Sequence, residues 1–193
     1  MAERRRAAVL AAVIAVAAVP AALALTDRHL AGASVALVVS TTAGALAVSA
    51  LALQPLLAAG RRIARHRLLG AVAFALVLLH VGALFVESPD DAWFAMSPDG
   101  PTRARMALIA TIALAGAVTL GVLRNRLPLG AGTWRGLHAY LAVVVLALGI
   151  GHAVLTDGAL DDLGTAVLVT LGAVGLVGVP AAHVARTRLA RRG

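Results

Sequence analysis

Two histidines bracket an almost unbroken apolar run from Arg65 to His80, RHRLLGAVAFALVLLH, with His66 near its start and His80 at its end. A second run, Leu137 to His152, LHAYLAVVVLALGIGH, repeats the arrangement with His138 and His152. Both pairs are spaced by fourteen residues. On an α-helix that spacing advances about 21 Å and returns to within about 40° of the starting face. Each run, read as a helix, carries one histidine towards one end and a second, on the same side, towards the other. Two such helices side by side stack one histidine pair above another.

The remainder of the chain supports a membrane setting. Of its 193 residues 61% are hydrophobic, far above a soluble domain. Six apolar segments are long enough to span a bilayer, at 7–25, 32–57, 68–86, 105–123, 134–155 and 163–184. The expected fold is all-α, a single-domain bundle of six transmembrane helices over residues 1–193. The first segment follows a Glu-Arg-Arg-Arg start and is longer than a usual signal peptide core, so it is read as an uncleaved helix. There is no cysteine, which excludes disulfides, Fe–S clusters and thiolate-ligated or covalently attached haem.

All seventeen basic residues are arginine, and they sit at segment ends. Nucleic-acid binding is not expected, because no folded basic patch with stacking aromatics appears. Fourteen arginines fall on one side: Arg4, Arg5, Arg6, Arg61, Arg62, Arg65, Arg67, Arg124, Arg126, Arg135 and four in the C-terminal tail. Only Arg28, Arg103 and Arg105 fall on the other. The positive-inside rule then puts both termini in the cytoplasm of a multi-pass cell-membrane protein. The third and fifth segments both run outward. His66 and His138 are level near the inner face, and His80 and His152 are level towards the outer face.

An ionisable side chain inside a membrane is costly and points to function. Haem iron that carries electrons takes two axial nitrogen ligands, and facing helices place such ligands well. The faces that carry the histidines are mostly small: Gly70, Ala73 and Val77 on one helix, Ala142, Val145 and Gly149 on the other. His66 with His138, and His80 with His152, are therefore candidate axial ligands of two b haems. A form with one haem, on His80 and His152, is the alternative. Arg65, Arg67 and Arg135 suit haem propionates, as well as serving as positive-inside anchors. His29 and His183 are read as interfacial, and Gly172, Gly175 and Gly178 as a helix-packing stripe. The acidic connection Glu87–Thr102 carries Trp93, Phe94 and Met96. It is read as a short amphipathic piece or a solvated loop at the outer interface, where an electron acceptor would dock.

The His-x13-His pairs on the third and fifth segments, with the tryptophan-led WRGLHAYL start of the fifth, resemble the ferric reductase-like transmembrane domain. That family includes ferric reductases, NADPH oxidases and the haem subunits of methionine-sulfoxide repair. The resemblance implies electron transfer from a cytoplasmic or membrane donor through an inner haem (His66, His138) and an outer haem (His80, His152). Many family members space the second pair by thirteen, so His152 departs slightly from the pattern. No flavin or nicotinamide fingerprint is present, so the resemblance implies a separate flavoprotein reductase or quinol as donor. The implied acceptor is ferric iron or a redox protein at the outer face. The competing expectation is a haem-free polytopic protein, such as a small transporter or assembly factor, whose histidines pack or relay protons.

Overall fold

The computed structural model describes residues 11, 15, 18–26, 30–59, 62–156 and 160–178, and every regular element among them is helical. The helical stretch 18–26 is α1. It is followed by α2 (Val35–Ala59), α3 (Ile63–Glu87), α4 (Pro89–Met96), α5 (Thr102–Val122), α6 (Ala131–Val154) and α7 (Asp162–Ala173). A π turn, Val174–Gly178, continues α7.

Four helices, α2, α3, α5 and α6, are long and apolar enough to cross a membrane. A helix satisfies its own backbone groups, the condition for crossing hydrocarbon. Leu78 (55% exposed), Ile112 (64%) and Val143 (50%) point outward from the middle of these helices. Water would penalise such a surface, and lipid tails would not. The expected segments 32–57, 105–123 and 134–155 match α2, α5 and α6 to within three residues at each end. The segment expected from 68 instead begins at Ile63, because arginine is a good helix former and α3 runs on through Arg65, His66 and Arg67. Of the outer segments, 7–25 is described from 18 apart from residues 11 and 15, and 163–184 is described to 178. His29, His183, Arg28, Arg61 and the arginines of both termini lie outside the described residues.

The helix starts are set locally. Ser34 caps α2 by accepting from the Leu37 N–H at 3.1 Å, and its hydroxyl also bonds Glu87, tying α2 to the end of α3. Asp161 caps α7 by accepting from the Gly164 N–H at 2.6 Å. The acidic connection forms α4, with Pro89 at its first position and Trp93 edge-on to Phe85 at 5.2 Å.

Two antiparallel hairpins dominate the packing, α2 with α3 and α5 with α6. α3 and α6 make no extended backbone approach of this kind. The hairpins meet through a core of Ala50, Leu51, Ala52, Ala73, Ala113, Leu114, Val145 and Leu146. α7 covers α2 and α6. There the expected glycine stripe is a packing surface: a side chain at Gly172 would strike Ile150, and one at Gly175 would press on Pro55.

Candidate functional site

The structure brings His66, His80, His138 and His152 together in two level pairs. The rings of His66 and His138 have centroids 6.1 Å apart with planes at 71°. Those of His80 and His152 are 6.2 Å apart with planes at 62°. Like pairs with like along the chain, so α3 and α6 run parallel.

The supporting contacts repeat the histidine register. His80 Nδ1 donates to the Ser40 carbonyl at 2.9 Å, and the Ser40 hydroxyl reaches the His80 carbonyl at 3.1 Å. His152 Nδ1 donates to the Arg103 carbonyl at 3.0 Å. At the other level, Gln54 embraces His66. Its carboxamide oxygen accepts from the Gly70 N–H at 2.7 Å while its NH2 lies 3.1 Å from the His66 carbonyl and 2.5 Å from Nδ1. The Gln54 main-chain carbonyl is 3.4 Å from the same Nδ1. The Ala117 carbonyl faces His138, but among the described residues His138 Nδ1 has no partner in hydrogen-bonding geometry. Ser40 and Gln54 are fourteen residues apart, as are Arg103 and Ala117. Each hairpin thus sets a histidine helix against a neighbour that answers it at the same two levels.

The midpoints of the four registers are Ala47, Ala73, Ala110 and Val145, and all four are buried. The two histidine levels are separated by a layer of buried residues. Gly44 is part of the outer level: a Cβ there would stand 3.0 Å from His80 Nδ1, so the ring lies where a side chain would be.

The donor set defines the chemistry. A histidine that donates Nδ1–H to a carbonyl keeps Nε2 as a free lone pair, the arrangement that orients metal-bound imidazole. His80 and His152 both do so. Two neighbouring lone-pair donors repel unless an electrophile lies between them. Two metal–imidazole bonds of about 2 Å, plus about 1.1 Å from nitrogen to centroid in each ring, put centroids about 6.2 Å apart. Both pairs stand at that separation. Among the described residues no three His, Asp or Glu side chains form a metal-binding group. Each level could therefore supply two imidazole nitrogens, one from α3 and one from α6, to a single metal centre.

Arg65, Arg67 and Arg135 are exposed near the level of His66 and His138. Ser40 and Gln54 escaped sequence reasoning, although they are polar residues inside a span and share the histidine spacing. The carbonyls of Arg103 and Ala117 carry no side-chain signal. Comparison with protein-family models, with curated proteins and with solved structures finds no match.

Proposed function

We propose that the protein is a haem-b transmembrane electron-transfer protein of the ferric reductase-like kind. It has six spans and cytoplasmic termini. The observation that carries this reading is the pair of imidazole separations, 6.1 and 6.2 Å, at two levels of one bundle. A b haem held between each pair would supply a one-electron iron couple. His66 and His138 would hold the inner group, and His80 and His152 the outer one.

The chain's own residues do the rest. Ser40 and Arg103 fix the tautomer and ring orientation of the outer ligands through their carbonyls. Gln54 restrains His66. Two imidazole ligands at each level would favour electron transfer over oxygen binding. Ala73 and Val145, buried between the levels, would favour passage of electrons over protons. Arg65, Arg67 and Arg135 would be available to pair with the inner propionates. The donor is a separate flavoprotein reductase or a quinol, and the acceptor is ferric iron or a redox protein at the outer face. The test is a dithionite-reduced minus oxidised spectrum of the purified protein with haem quantified per chain. Two b haems per chain are expected, and a chain without haem absorbance refutes the reading.

A further inference from the structure

Three of the four histidines have Nδ1 held by α2 or α5: His80 by Ser40, His152 by Arg103 and His66 by Gln54. His138 is the exception, its Nδ1 buried and without a hydrogen-bond partner among the described residues. Its ring is nevertheless flanked by a large flat neighbour. The Trp134 indole lies one helical turn earlier on α6, with its plane 9° from that of the imidazole and centroids 5.1 Å apart. Stacking at this offset adds to the area the two rings bury against each other.

The indole is itself fixed. Its Nε1–H donates to the Leu120 carbonyl at 2.9 Å. The Arg124 guanidinium lies over it at 4.6 Å, a cation–π contact. Arg124, Trp134 and His138 form one stack that runs from the connection after α5 into the inner level. The connection between the two helices is fastened to the ring it helps orient.

We propose that Trp134 is the positioning residue of His138, holding by its face the ring plane that a hydrogen bond holds in the other three histidines. The inference rests on the haem reading for its consequence, but the stack can be read without haem. The indole sets the 71° angle between the inner ring planes. Loss of the indole face frees His138 to rotate about its side-chain bonds.

Two arms test this on the full-length purified chain. In the first, Trp134→Ala, Trp134→Leu and Trp134→Phe are compared by low-spin electron paramagnetic resonance, which reports the angle between axial ring planes. Trp134→Ala and Trp134→Leu should spread or shift one of the two signals, the same one that His138→Ala removes. Trp134→Phe keeps an aromatic face but loses the bond to Leu120, and should leave that signal nearly in place. If Phe shifts it as far as Ala does, the bond to Leu120 matters and the stacking proposal fails. If Ala leaves both signals in place, the proposal also fails. The second arm needs no haem. In a Trp93→Phe chain produced under haem starvation, emission comes from Trp134 alone. His138→Ala should change its intensity, and His66→Ala should not. An emission indifferent to His138→Ala overturns the stack. Absence of any haem signal refutes the haem reading instead, and leaves this arm to decide the stack.

Discussion

Ser40 and His80 exchange hydrogen bonds in both directions across the α2–α3 seam. The carbonyl of Ser40 accepts from the ring, and the hydroxyl of Ser40 reaches the carbonyl of His80. The ring is held by main chain, and the side chain only reinforces it. Ser40→Ala should therefore cost about 1 kcal/mol of stability and leave the outer site loaded. Gly44→Val should empty it, because its side chain occupies the space of the His80 ring. Haem content and a thermal melt of each variant separate the two effects. Equal haem loss from both would show that the hydroxyl, and not the carbonyl, holds the ring.

The level pairing predicts matched phenotypes. His80→Ala and His152→Ala should remove or convert the same haem, and His66→Ala and His138→Ala the other, since about 21 Å of helix separates the levels. With haem bound as proposed, ring planes at 71° and 62° would interact almost equally with two iron d orbitals and leave them close in energy. Both ferric haems should therefore give strongly anisotropic low-spin signals. Spectra in which His80→Ala and His66→Ala abolish the same signal would contradict the pairing.

Ala73 is fully buried halfway between the levels. Ala73→Leu overpacks that layer at a cost of about 1–3 kcal/mol and pushes α3 outward. It should weaken both haem signals together, unlike any single histidine variant. A spectrum with only one signal altered would mean that the two ends respond separately to the layer between them.

Orientation follows from the arginine split. A reporter fused after Arg192 should report the cytoplasm, and one inserted within 97–100 the opposite compartment. Identical answers from both would overturn the orientation and reverse the assignment of inner and outer levels.

Much of this arrangement was legible in the sequence because it rests on spacing. His66, His80, His138 and His152 announce two levels through one repeated interval, and the apolar runs around them announce helices. Gln54 and Ser40 show the same interval, but a serine or a glutamine in a span is commonly a packing residue, and their register has meaning only once α2 lies antiparallel to α3. The two hairpins carry the same pattern, although no fixed period joins them. The connection between Ala117 and His138 is nine residues longer than that between Gln54 and His66, which hides the correspondence from a search for a fixed period. The carbonyls of Arg103 and Ala117 were beyond reach, since every residue has one and only tertiary geometry selects among them. The stack of Trp134 on His138 follows from their four-residue spacing, but only the structure adds Leu120 and Arg124.

The core that joins the hairpins lies between the two histidine levels, so it acts as a fulcrum. Rigid hairpins pivoting there would widen one end as they narrow the other. In this structure both ends already stand at the same separation. Capture of a cofactor at either end would freeze the pivot at the setting the other end requires, and the second capture would incur less loss of freedom than the first. Loading should then be cooperative, with few half-filled chains at intermediate supply. Native mass spectrometry during a haem titration would count them directly.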